Sequence, residues 1–274
     1  MNSPQTPAES RVHVIENAPE RLLIAMAVAL PVFMQAANPL AQVCKLVPLG
    51  EMVGAQEGNR VFFPQSGLEV TLDDIERIHL VELETPGEST LSIEFAVTGD
   101  PRALILAAPG KWTDAGSIRR RICGFSKHAL AHDKYETWCR DFTREPVLCP
   151  CCSVAAAKRR ADPSLHPVAA IFHHALRHGM RLRCVLKSEA CGLSVEILPG
   201  ELDLSEGRIS LTGADGTSHV SLDPGLCHAI GVETRDLDGE AHSMLRLYDQ
   251  HGHLALEIST PGKQAAAVWC QFCK

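Results

Sequence analysis

Aromatic residues are scarce in this chain: two tyrosines, three tryptophans and eight phenylalanines among 274 residues. A large flat ligand therefore has few rings to stack on. Positive charge is also short, with 26 Lys and Arg against 33 Asp and Glu and a formal net charge of −7, so no nucleic-acid partner is expected, because such binders carry a basic surplus. The one dense basic run, Lys158-Arg159-Arg160, reads as the solvated end of a helix. There is no Gly-x-x-x-x-Gly-Lys-Ser/Thr loop, no Gly-x-Gly-x-x-Gly fingerprint and no Gly-x-Ser-x-Gly elbow, which removes the commonest nucleotide-binding and hydrolase signatures. Pro-Gly-Lys occurs at 109–111 and 261–263 without a phosphate-loop context and reads as a turn. No apolar run is long enough to cross a bilayer. The longest, from Leu22 to Met34, is broken by Pro31, and acidic Glu9, Glu16 and Glu20 precede it where a secretion leader wants a short positive start. It is expected to be a buried or docking helix, and the protein to be cytoplasmic.

Cysteine and histidine are abundant instead, at 11 and 13 residues. The odd cysteine count, in a chain too long to need disulfide staples, points to core thiols or ligands. Cys149-Pro150-Cys151-Cys152 packs three thiols into four positions, and Cys270-Gln271-Phe272-Cys273 is a Cys-x-x-Cys. Together Cys149, Cys151, Cys152, Cys270 and Cys273 offer enough soft ligands for zinc or an iron–sulfur cluster.

The hydrophobic pattern predicts a loose tail, helices over 20–34 and 38–46 with Asn38 as cap, and then β-rich sequence. Leu68-Val70-Leu72, Ile78-Leu80-Leu83, Leu91-Ile93-Phe95 and Ala103-Ile105 alternate at period two, as half-buried strands do. Residues 117–164 are basic and rich in Cys and His, with few strand signals, and are expected to be helical. Val168, Ile171, Phe172, Ala175 and Leu176 form an apolar stripe at helical spacing, ended by Gly179. Strands resume at 182–186, 193–197, 209–211 and 220–222, and 245–247 and 254–258 form a last hairpin around Gly252.

The β-rich stretches match each other. Val70-Thr71-Leu72-Asp73 aligns with Val220-Ser221-Leu222-Asp223, Val81-Glu82 with Val232-Glu233, Ile93-Glu94-Phe95 with Leu245-Arg246-Leu247, and the two Pro-Gly-Lys triplets with each other. The expected fold is α+β: two homologous repeats, each a mostly antiparallel β-sheet with flanking helices, joined by a helical linker. The expected divisions are 1–45 (tail and helices), 46–116 (first repeat), 117–164 (Cys/His-rich linker) and 165–274 (second repeat).

These motifs, in this order, resemble the HemS/ChuX family of haem-handling proteins. The resemblance rests on 187–200 (Lys187 through Cys191-Gly192 to Pro199-Gly200), on Asp238-Gly239 followed by Leu245-Arg246-Leu247-Tyr248-Asp249-Gln250-His251-Gly252, and on Leu49-Gly50-Glu51-Met52-Val53 with Gly58-Asn59. It covers about residues 45–112 and 165–265 and implies stacked antiparallel sheets that clasp haem or a related tetrapyrrole, for trafficking, storage or delivery to degradation. Partners would be proteins of haem uptake or breakdown. The family's linker histidine corresponds to His132, in His132-Asp133-Lys134-Tyr135, though the phenylalanine pair that follows it in the family is absent. His128, four residues earlier, is expected to share a helix face with it. Arg77, with His79, falls at the family's first-repeat edge, where no aromatic residue adjoins it in sequence. Cys149, before proline, is a second candidate for the iron. Two other readings stay open: a zinc or iron–sulfur protein on the same fold, and a non-catalytic interaction module without a cofactor. Whether haem would be degraded is not legible.

Overall fold

The computed structural model describes residues 10–15, 32–47, 55–85, 88–107, 126–188, 190–237 and 239–274. In chain order the described elements are β1 Arg11–Ile15, β2 Val32–Ala37, β3 Ala41–Val47, β4 Ala55–Glu57, β5 Arg60–Phe63, β6 Leu68–Thr71, β7 Arg77–Thr85, β8 Glu88–Val97, β9 Asp100–Ala107, β10 Ser126–Ala131, and the helices α1 His132–Phe142, α2 Pro150–Ala161 and α3 Pro167–Arg177. There follow β11 Leu182–Lys187, β12 Cys191–Ile197, β13 Pro199–Asp203, β14 Ile209–Gly213, β15 Ser218–Leu222, β16 Ala229–Leu237, β17 Glu240–Tyr248, β18 Leu254–Pro261 and α4 Gln264–Phe272. The protein is thus α+β and antiparallel, as the sequence predicts.

The chain forms two compact units, one drawing on residues 1–34, 47–66 and 70–144, the other on 35–46, 67–69 and 145–274. In the first unit β10, β1, β7, β8 and β9 lie side by side. Alternation sets the faces of this sheet. Ile78, Leu80, Ile93, Phe95, Leu104 and Leu106 are buried, and each such side chain contributes about 1.5–3 kcal/mol on leaving water. Arg77, His79 and Val81 alternate with them and belong to the other face.

In the second unit β3, β15, β14 and β13 form one antiparallel run and β16, β17, β18, β11 and β12 another. Helix α3 buries Val168, Ile171, Phe172 and Ala175 of the stripe read from the sequence, with its fifth member, Leu176, half-buried. It starts at Pro167 with His166 Nδ1 accepting from the Val168 N–H, and it stops where Gly179 takes φ +57° and the Met180 N–H returns to the Ala175 carbonyl. Helix α4 fixes its start from outside: the buried Ser243 hydroxyl donates to the Gly262 carbonyl at 2.7 Å and accepts from the Ala266 N–H at 2.8 Å.

The same strand pattern occurs in both halves of the chain. Hairpin β2–β3 recurs as β11–β12, 150 positions on (32 to 182, 41 to 191). In the meander β7–β8–β9, Ile93 stands opposite Leu80 and Leu106; in β16–β17–β18, Leu245 stands opposite Val232 and Ile258, each 152 positions later (93 to 245, 80 to 232, 106 to 258). Ile93–Phe95 and Leu245–Leu247 therefore hold the same strand position. The sequence match of Val81 with Val232 is one residue out of register, since Leu80 is the structural counterpart.

Three expectations are corrected. The helix over 20–34 falls mostly outside the described residues, and its last positions, 32–34, belong to strand β2, Val32–Ala37. The helix over 38–46 is replaced by β3. Asn38 does present its Oδ1 to two backbone N–H groups, Leu40 at 3.0 Å and Ala41 at 2.8 Å, as a cap would. But its own N–H bonds the Ala41 carbonyl, so the chain turns back into a hairpin. Third, the stretch 117–164 contains a strand: Ser126–Ala131 pairs with β1, so that Val14 faces His128. Pro109-Gly110-Lys111 and the residues 49–53 lie outside the described residues.

Candidate functional site

Helix α1 covers the polar face of the first unit's sheet. Its residues Tyr135, Trp138, Cys139 and Phe142 recur at three- and four-residue spacing and so share one face. Tyr135 and Cys139 are buried against Val12 and Val81, with Leu130 and Trp138 packed around them. The last turn closes through the Thr143 N–H and hydroxyl on the Cys139 carbonyl.

Under this helix lies a buried carboxylate. Glu94 on β8 is 6% exposed. It accepts from Arg102 Nε at 2.8 Å, from the Ser92 hydroxyl at 3.2 Å and from the Tyr135 hydroxyl in a short bond. Arg102 also donates to Glu136 on α1 at 2.5 Å and lies over the Tyr135 ring. Glu136 in turn stands 3.5 Å from His132 Nε2. A buried charge needs such pairing to be tolerated. The consequences for ionisation follow. Burial, then Glu94, pushes the Tyr135 hydroxyl well above its usual range. Burial opposes the Arg102 charge, but Glu94 and Glu136 together outweigh it and hold the guanidinium protonated.

Beside this network, His79 is 1% exposed, and neither ring nitrogen has a hydrogen-bond partner. Its ring lies 4.8 Å from that of Tyr135 and 4.6 Å from that of Trp138. Burial first, then the Arg77 and Arg102 cations, pushes its pKa down to about 4, so it is neutral at pH 7. Arg77 places its guanidinium 5.3 Å over the Trp138 ring, and Trp138 stacks on Phe142.

Three sequence-predicted residues, Arg77, His79 and His132, thus come together. His132 opens α1 with its side chain 32% exposed. His128 does not share a helix face with it, because His128 sits in β10 and the helix begins at His132 itself. The aromatic residues that do not adjoin Arg77 in sequence are supplied by α1. Glu94, Arg102, Glu136 and Trp138 were not legible as site residues. The only available signal was the three-to-four-residue spacing of rings after His132.

The cysteines divide. Cys149 caps α2, and Cys149, Cys151 and Cys152 bring their sulfurs within 4.8 Å of one another. Cys270 and Cys273, on and after α4, do not belong to that group. The five thiols therefore do not form one site among the described residues. His228 stands closer, with Nδ1 4.0 Å from Cys152 Sγ. Its 76-residue separation from Cys152 hides it in the sequence.

No protein-family model matches the chain, and no curated protein matches it by sequence. Solved structures do. ChuS, an E. coli heme oxygenase, covers 95% of this chain with 87% of its own length, at TM-score 0.67 and 11% identity. Holo-PhuS, a heme-binding protein from Pseudomonas aeruginosa, covers 96% with 86% of its length, at TM-score 0.68 and 11% identity. Its apo form matches at 0.65. The chain has the fold of these proteins. Among the described residues no helix is long and apolar enough to cross a membrane.

Proposed function

We propose that this protein binds haem or a related tetrapyrrole and acts in the cytoplasm in haem trafficking, storage or delivery to degradation. The observation that carries the reading is the shared fold, over nearly the whole chain, with one protein described as a heme oxygenase and another described as heme-binding. The local chemistry supports it. His132 offers a half-exposed imidazole at a helix start, and Glu136 beside Nε2 fixes the ring and leaves the other nitrogen to donate to iron. Arg77 is an exposed cation of the kind that pairs with a propionate. Trp138 and Phe142, both half-buried and stacked on each other, give the surface beside Arg77 an aromatic character. In this reading His132 holds the iron, Arg77 a propionate, and His128 and Cys149 are the alternative ligands. Haem, when bound, would supply the redox and oxygen chemistry; the chain's residues orient it and hold its charges.

Hemin titrated into the purified protein tests the reading. A Soret band saturating at one equivalent per chain is expected. Weak absorbance that rises without saturation, as on any protein surface, would contradict it. Carrier and degrading roles are then separated by adding an electron donor to the complex under air and watching whether the Soret band persists.

A further inference from the structure

Helix α2 begins with three thiols in its first turn: Cys149 at the N-cap, and Cys151 and Cys152 just inside, behind Pro150. Cys149 and Cys151 are exposed, and their sulfurs lie 2.9 Å apart. Helix geometry alone would leave this a cluster of thiols with no fourth group. The fourth group comes from the loop before β16. His228 on that loop turns Nδ1 toward Cys152.

The loop is clamped to α2 at two further points. Arg160 grips Asp223 through three contacts of 2.7–3.0 Å, and Arg159 donates to the Cys227 carbonyl at 2.6 Å. The His228 N–H is held by the Tyr248 carbonyl at 2.9 Å. Gly225 lets the loop come close, since a Cβ there would stand 3.1 Å from Ala156 Cβ on α2 and 2.9 Å from Arg160 Nε. The imidazole is therefore positioned against the thiols by contacts that do not involve the thiols.

We propose that Cys149, Cys151, Cys152 and His228 form a closed, four-coordinate zinc site that pins the His228 loop to the start of α2. Three thiolates and one imidazole are a complete ligand set for zinc. In a tetrahedral site with Zn–S bonds of ~2.3 Å, sulfurs stand about 3.8 Å apart. The three sulfurs already lie within 4.8 Å of one another; the ion would move Cys149 and Cys151 apart, and His228, 4.0 Å from Cys152 but outside that group, would swing in to complete the set. The helix start favours the negative charge that three thiolates bring.

The site does not rest on the haem reading, and its test uses haem-free protein. The full chain, reduced and stripped with a chelator, is titrated with Co²⁺ and then Zn²⁺. One equivalent of Co²⁺ should give a thiolate charge-transfer band and the intense visible absorption of a tetrahedral ion, and one equivalent of Zn²⁺ should abolish both. Cys151→Ser and Cys152→Ser should remove the bands. His228→Ala should weaken binding by at least the ~10–100-fold that changes outside the ligand shell cost. Cys270→Ser should change nothing. These variants sit at exposed or half-exposed positions, so circular dichroism should be unaltered. Bands that survive loss of all three thiols would overturn the proposal, as would bands unchanged in His228→Ala. So would a Cys149–Cys151 disulfide in metal-free protein isolated anaerobically, seen as a two-dalton mass deficit.

Discussion

Lowering the pH should destabilise the first unit through one residue, His79. Its ring is buried between Tyr135 and Trp138, without hydrogen-bond partners and near two cations. Folding moves its pKa from the ordinary 6.5 down to about 4. The folded state thus binds the proton more weakly than the unfolded state, so the His79 contribution is fully present above pH 6.5 and falls away as pH drops towards 4. At 1.36 kcal/mol per unit, the loss reaches about 2 kcal/mol at pH 5 and about 3 kcal/mol at pH 4. His79→Leu removes the titration and also the two unsatisfied nitrogens, each a desolvation cost on the order of 1–3 kcal/mol. The variant should be at least as stable as the parent at pH 7 and clearly more stable at pH 5. Urea unfolding read by tryptophan fluorescence at a series of pH values measures both. A variant that loses stability on acidification as steeply as the parent would refute the assignment to His79. His166, also pushed down to about 4 by burial and then by Arg159, keeps its own acid dependence in the second unit.

Other outcomes follow from single contacts. Tyr135→Phe keeps the packing on Val12 and Val81 but takes a donor from the buried Glu94, and should cost about 1.5–3 kcal/mol in urea unfolding; Glu94→Gln should make that cost much smaller in a double-mutant cycle. Asn38→Ala loses two accepted bonds within its turn and two donated ones, to the Lys187 and Ala255 carbonyls at 2.9 Å. A cost of about 2–4 kcal/mol is expected by the same measurement. Gly67→Ala would drive a Cβ to 2.9 Å from the Ser194 carbonyl oxygen at φ +67° and should lower the melting temperature by several degrees, whereas Gly216→Ala, at φ +68° in open space, should cost only the ~1 kcal/mol of the backbone conformation.

Much of the fold was legible because the strands of the second half alternate cleanly: Leu182-Cys184-Leu186 and Leu193-Val195-Ile197 are buried as read. The hairpin β2–β3 was missed because Asn38-Pro39 gives the same local signal at a helix start and at a tight turn. Only strand pairing decides between them, and β3's second partner, β15, lies far along the chain. Strand β10 was hidden by its Ala and Ser content and its edge position. Of the candidate site, His132 and Arg77 follow from motif order, while nothing local in the sequence marks Glu94 and Arg102, which join the site only through their bonds to Tyr135 and Glu136 on α1. His228 could not be joined to the cysteines by spacing, because a loop clamped by Arg159 and Arg160 brings it there.

The measurement that bears most directly on the haem reading compares the ferric complexes of the parent, His132→Ala and Cys149→Ser by absorption and electron paramagnetic resonance. A one-equivalent complex with a nitrogenous axial ligand is expected in the parent and in Cys149→Ser, with that ligand lost or replaced in His132→Ala. Identical spectra from the parent and His132→Ala, or no stoichiometric complex in any of the three, would contradict it.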